Sequence, residues 1–198
     1  MGREEPSEER ETGTLGEITA DEQLQPSFPD RPSPDPERRE RKAAEQAAEA
    51  PNREHDTRER SARTSQSRVK AEAEPYLRDY YTDADDRMVC QVCRQEMPFR
   101  RKDGKHYFER VEAFALSREY KANYLALCPV CAAKYNEFIV HGENGARDEL
   151  RKAFAAGGAL ETPVRLGQEE AAIRFVEPHA IDLRAAIGNE SRSASKGQ

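Results

Sequence analysis

The chain has 198 residues, of which 36% are hydrophobic and 35% charged, with no tryptophan and a formal net charge of -6. A chain this polar cannot bury a core along its whole length, so part of it is expected to stay unfolded. No segment approaches the ~20 apolar residues needed to cross a bilayer, and "MGREEPSEER" has neither the apolar stretch of a signal peptide nor, with Pro6 at the sixth position, a myristoylation pattern. These features predict a cytoplasmic protein with reduced thiols, not associated with a membrane.

Residues 1–64 are mixed in charge and carry prolines, and Phe28 is the only aromatic before Tyr76. They are expected to form a long disordered tail. Within it "PERRERKAAEQAAEA" contains good helix formers but offers no apolar stripe with which to dock. Residues 65–188 hold almost all the aromatic side chains and form the expected folded module, and 189–198 are a second polar tail.

The module opens on a lead-in helix, with Val69, Ala73, Tyr76, Leu77 and Tyr80 at helical spacing and Pro75 as a kink or restart. After "CQVC" the basic turn "RRKDGK" carries Asp103-Gly104, a hairpin signal, and "KHYFERVEAF" is the expected returning strand. "SREYKANYLAL" leads to "CPVC". From there "CAAKYNEFIV" reads as a helix with Tyr135, Phe138 and Ile139 on its inner face. "ARDELRKAFAA" is a short amphipathic helix ended by Gly157-Gly158, and "TPVRL" and "AAIRFV" are two strands turning at Gly167. "PHAIDLRAAIG" is a closing helix with Pro178 in its first turn and Gly188 past its end.

Cys90, Cys93, Cys128 and Cys131 are the only cysteines, arranged as two C-x2-C pairs. Two such pairs, the second opening a helix, can bring four thiolates to one tetrahedral point, which suits structural Zn2+. A disulfide framework requires an oxidising compartment, and a thioredoxin-type pair requires a βαβ setting that the pattern lacks. Metal-free thiols and another soft metal are the remaining alternatives.

Cys-x2-Cys, a hairpin, an Asn just before "LALCPVC" and a helix at the last Cys together resemble the treble-clef, or ββα-metal, module of HNH nucleases with an added four-cysteine site. The set "CQVCRQEMPF", "DGKHYFE", "NYLALCPVCAAKY" and "IRFVEPHAIDLRAAI" is similar to a degenerate form at the C-terminus of large bacterial proteins with a histidine-kinase-like ATPase region. The likeness spans about Arg68 to Ile187. It implies an α+β fold: a small zinc-stabilised treble-clef module with flanking helices and a C-terminal hairpin-helix.

The family's catalytic histidines do not transfer, because Val111 and Glu112 stand in their places and Ala132 replaces the His that often follows the last Cys. Asn123 matches the family's Asn and is expected to brace a loop. Glu109 and Glu112 are expected on opposite faces of the strand, and His106, His141 and His179 are read as solvated or core histidines.

Arg94, Arg100, Arg101, Lys102 and Lys105 cluster near Phe99 and Tyr107 and are candidate nucleic-acid contacts. Residues 73–198 nevertheless hold 19 basic against 20 acidic side chains, a balance of -1, so a domain-wide basic footprint is missing. The function expected from all this is a non-catalytic zinc-binding module for recognition or assembly, with a protein partner, accessory to a larger ATPase or a DNA-processing or defence system. The alternative is an HNH-family DNA-binding protein or endonuclease with a departed active site.

Overall fold

The computed structural model describes residues 28–51, 59–142 and 145–195. In chain order these form α1 (Pro36–Glu49), α2 (Glu59–Tyr81), β1 (Glu109–Glu112), a 3-10 turn (Lys121–Asn123) and β2 (Tyr124–Leu127). There follow α3 (Pro129–Tyr135), a π turn (Asn136–Val140), α4 (Ala146–Ala156), β3 (Glu161–Leu166), β4 (Glu169–Arg174) and α5 (Glu177–Ser195). The architecture is mixed α+β, with two separate two-stranded antiparallel sheets.

Helix α2 supplies the first wall of the core. Val69, Ala73, Leu77 and Tyr81 recur every fourth residue and are all buried. The helix continues through Pro75. Pro75 and Ala71 both lie on the exposed face, where water can take the carbonyl hydrogen bond that proline cannot make.

Strand β1 pairs with β2 in a register that sets Glu109 opposite Leu127 and Glu112 opposite Tyr124. All four residues of β2 are buried, which explains why its apolar run carries no alternation to mark it as a strand. The second hairpin, β3 and β4, turns at Gly167 as expected, with φ +71° there. In β3 Thr162, Val164 and Leu166 face inward and their neighbours outward, the alternation of a sheet wet on one side.

Three expectations need correction. The segment 36–50 does dock. Asp35 caps α1 through its Oδ1, which accepts from the Arg38 N–H at 2.9 Å, and Ala43 and Ala47 are buried where α1 lies along α5. Two alanines one turn apart make a stripe too short to register as amphipathic, yet their small side chains let the helix backbones approach. Arg39 completes the joint with Nε 2.9 Å from Asp182 Oδ1 and Nη2 2.7 Å from Asp182 Oδ2. Upstream, Phe28 packs edge-on to Tyr81 and lies beneath the Arg174 guanidinium, 4.7 Å from the ring centroid. Downstream, Arg118 donates to the Ala48 and Ala50 carbonyls. Residues 28–51 therefore belong to the folded body, while 1–27 and 52–58 lie outside the described residues.

The closing helix passes Gly188 and runs to Ser195. Contacts beyond its own backbone hold the extension: Asn189 donates to the Ala44 carbonyl, and Glu190 accepts from the Ser117 N–H and pairs with Arg151 at 3.4 Å. Phe138 turns outward and is 42% exposed, whereas Tyr135 and Ile139 are buried as expected. The π turn at Asn136–Val140, closed by His141 N–H to Asn136 O at 2.8 Å, fits an extra residue into the turn and rotates Phe138 off the inner face. Its ring then lies against Gly167, where an added Cβ would come within 2.9 Å of it.

Candidate metal centre and the basic hairpin

The first cysteine pair lies on a tight turn stitched by backbone bonds, Cys90 N–H to Gln95 O at 2.9 Å and Arg94 N–H to Cys90 O at 3.0 Å. Arg94 adopts φ +61°, an uncommon conformation for a side chain with a Cβ, which the surrounding bonds impose. In the second pair Cys128 is the N-cap of α3, Pro129 occupies the first turn, and the Cys131 N–H points at Cys128 Sγ from 3.5 Å. The Cys128 N–H points at Cys90 Sγ from 3.4 Å. Backbone donors and a helix start thus face sulfur, which favours thiolate.

All four Sγ atoms lie within 4.8 Å of one another. Cys93 and Cys128 are 3.9 Å apart through sulfur, and all four thiols are free. Four sulfurs at ~2.3 Å from one tetrahedral ion stand about 3.8 Å apart, so the quartet fits such an ion. Among the described residues no other group of three or more His, Cys, Asp or Glu gathers its ligand atoms in this way.

Proximity divides the thiols. Hydrogen bonds from Cys131, Cys90 and Cys93 hold the Cys128 thiol far below the ordinary range. Contacts with Cys128, then Cys90 and Cys93, push Cys131 up, and Cys90 is raised chiefly by Cys128. At Cys93 the raising contact with Cys128 is outweighed by Cys131 and Cys90, and the thiol falls to about 7. Thiols this close favour loss of a proton from the group, and a metal ion that binds them displaces the protons that remain.

Sequence reasoning missed Gln91, which sits between the first two cysteines and is fully buried. Its Oε1 accepts from the Ala126 N–H at 2.8 Å and its Nε2 donates to the Arg174 carbonyl at 2.9 Å. Its own backbone bonds the same two residues, to Ala126 O at 3.1 Å and from Arg174 N–H at 2.9 Å. Gln91 therefore clamps the cysteine turn to β2 on one side and β4 on the other. A single glutamine between two cysteines carries no pattern that would have disclosed this role.

The turn forms as expected around Gly104 at φ +80°, with Arg100 bridged to His106 and the Arg101 N–H bonded to Lys105 O at 2.8 Å, but the expected returning strand does not pair back across it: Glu109–Glu112 runs against β2 instead. Its candidate basic residues do not form one free patch. Arg94 pairs with Glu161 at 3.1 Å, Arg100 with Asp86 at 2.7 Å and Arg101 with Glu74 at 3.6 Å. Lys102 and Lys105 are exposed.

At the end of β1 Val111 is buried. The Glu112 carboxylate lies 3.5 Å from Arg147 and accepts from the Tyr124 hydroxyl at 3.3 Å. Arg147, from α4, also donates to the Glu112 carbonyl at 2.9 Å. Glu109 instead accepts from the Tyr107 hydroxyl, so the two glutamates do not converge. Asn123 braces the loop as anticipated, gripping Phe114 through both backbone groups: the Phe114 N–H to Oδ1 at 3.0 Å and Nδ2 to the Phe114 carbonyl at 2.8 Å.

The histidines stay apart. His179 is fully buried; its Nε2 is 2.8 Å from the Ala122 carbonyl and its Nδ1 2.7 Å from the Tyr81 hydroxyl. A carbonyl only accepts, so Nε2 carries the proton and Tyr81 donates to Nδ1. Desolvation lowers its pKa to about 4, leaving the ring neutral. His106 is buried with Nε2 2.9 Å from the Asp86 carbonyl, and His141 is exposed.

Comparisons with protein-family models, with curated proteins and with solved structures find no match. Among the described residues no helix is long and apolar enough to cross a membrane.

Proposed function

We propose that the chain is a non-catalytic recognition or assembly module held together by one structural zinc ion in a treble-clef arrangement, with Cys90, Cys93, Cys128 and Cys131 as its ligands. The convergence of four thiols within 4.8 Å carries the proposal. The order of parts supports the treble-clef assignment: a cysteine turn, the β1–β2 hairpin, and a helix whose N-cap and first turn supply the last two sulfurs. Four sulfur donors leave no open coordination position, which is the mark of a structural rather than a catalytic zinc site. At the strand end where the resembled nucleases place histidines, Glu112 is occupied by Arg147 and Tyr124, which favours a docking role over hydrolysis.

Reduced thiols call for a reducing compartment, so the proposed location is the cytoplasm. The proposed partner class is a protein, such as a separately encoded ATPase, with the basic hairpin as a second recognition face. Protein purified without an affinity tag is expected to carry about one zinc per chain by elemental analysis and to lose its near-UV and far-UV dichroism on chelation. Metal-free protein with an unchanged fold would sink the proposal. Pull-down with mass spectrometry, with and without nuclease treatment, separates a direct protein partner from one bridged by nucleic acid.

A further inference from the structure

Between residues 98 and 107 the hairpin exposes one large apolar side chain, Phe99, at 52%. Its ring lies parallel to Tyr107, with centroids 4.8 Å apart and planes 10° apart. The two residues face each other across the hairpin, joined by the Tyr107 N–H to the Phe99 carbonyl at 2.9 Å. The Arg101 guanidinium lies 5.3 Å from the Tyr107 centroid, and the Tyr107 hydroxyl is tied to Glu109. Arg100 anchors this arm of the hairpin through Asp86. The aromatic pair is thus fixed before anything binds, so stacking on Phe99 costs little side-chain entropy.

The charges around this stack are arranged in two classes. Arg94, Arg100 and Arg101 are each matched to a carboxylate. Lys102 and Lys105, on the turn next to Phe99, make no ion pair among the described residues and are exposed. The acidic residue of the turn, Asp103, directs its Oδ1 at the Lys105 backbone N–H at 3.1 Å.

We propose that this hairpin binds single-stranded nucleic acid, with one unpaired base stacked on Phe99 and the adjoining phosphates on Lys102 and Lys105. Two lysines unpaired among the described residues are too small a footprint for a duplex, whose binding rests on many phosphate contacts and whose base faces are hidden. An exposed flat aromatic ring on a hairpin whose turn carries two exposed lysines suits an unpaired base, which has both a π face and a neighbouring phosphate. An apolar protein surface would instead find lysines where it needs apolar contacts. The proposal deepens the recognition role given above and rests on it.

The test is fluorescence anisotropy with the full zinc-loaded chain, a fluorescein-labelled single-stranded DNA of mixed sequence, and the same strand in duplex, over a range of salt concentrations. Zinc content is measured for every variant. The single strand is expected to bind more tightly than the duplex. Phe99→Ala should weaken it by roughly 5- to 150-fold, the effect of one stacked base, and Phe99→Trp should retain it. Lys102→Ala with Lys105→Ala should flatten the log–log salt dependence by about 1.4, the value for two phosphates on a single strand. Absence of single-strand binding, equal binding of duplex, or a Phe99→Ala variant that binds as before would each overturn the proposal. If zinc content stays at one per chain in those cases, the structural-zinc assignment stands and only the ligand is wrong.

Discussion

Replacing Gln91 by Met removes the side-chain amide that joins the cysteine turn to both sheets while keeping the side chain's length and apolar volume. Two bonds disappear, from the Ala126 N–H at 2.8 Å and to the Arg174 carbonyl at 2.9 Å. The Ala126 amide belongs to a fully buried residue and cannot find water, so it suffers the full cost of an unpaired donor, about 1–3 kcal/mol. The Arg174 carbonyl is part-buried and can recruit solvent, which sets its share near the lower end, about 1 kcal/mol. The expected loss is about 2–4 kcal/mol. With an m-value of about 2 kcal/mol/M for a domain of this size in urea, the midpoint should fall by about 1–2 M at unchanged slope. Urea unfolding of zinc-loaded protein reads the midpoint, and competition with a chromophoric chelator reads the affinity of the cysteine cluster, which should weaken with it. A Gln91→Met midpoint within about 0.25 M of the parent, equivalent to about 0.5 kcal/mol, would refute the clamp.

Arg39→Met should detach α1 from α5. Breaking a buried pair costs about 3–5 kcal/mol, but Arg39 remains 28% exposed against 8% for Asp182, so about 2–3 kcal/mol is expected after solvent screening. Hydrogen exchange should show faster amides across residues 36–49, and unchanged protection there would count against docking. His179 makes stability depend on pH with a definite sign. Its pKa falls from 6.5 to about 4 on folding, so the unfolded chain binds the proton first and stability declines as pH drops from about 6.5 towards 4. Zinc-loaded protein should lose about 2–3 kcal/mol more between pH 7 and 4.5 than a His179→Asn variant, which shares every other acid-sensitive group. Parallel pH profiles for the two proteins would show that His179 is not the titrating group.

Much of the module could be read from residue pattern because the relevant interactions are local. The stripe on α2, the Asp103-Gly104 turn, the β3–β4 hairpin about Gly167 and the start of α5 at Pro178 all depend on neighbours a few residues away. The two C-x2-C pairs were legible for the same reason, since each pair's geometry is set by its own turn. Where the reading failed, distant contacts decided. Two alanines and one arginine in a charged segment gave no sign that α1 docks until α5 and Asp182 were in place opposite them. Gly188 suggested a helix end, but contacts from Ala44 and Arg151 hold Asn189 and Glu190 in a further turn.

The candidate site divides along the same line. Spacing alone determined which four residues would form the cluster, because two intervening residues bring both sulfurs of a pair to one side of a turn. Only the tertiary structure decided that the pairs meet, through β2, which carries the chain from the hairpin to Cys128, and through Gln91, which fixes the first turn against it. Tertiary structure likewise decided which cations of the basic hairpin are matched to a carboxylate among the described residues. Arg94, Arg100 and Arg101 look equivalent to Lys102 and Lys105 in sequence, but their carboxylate partners Glu161, Asp86 and Glu74 come from elsewhere in the chain. Charge is a property of residues, whereas an unmatched charge is a property of the folded surface.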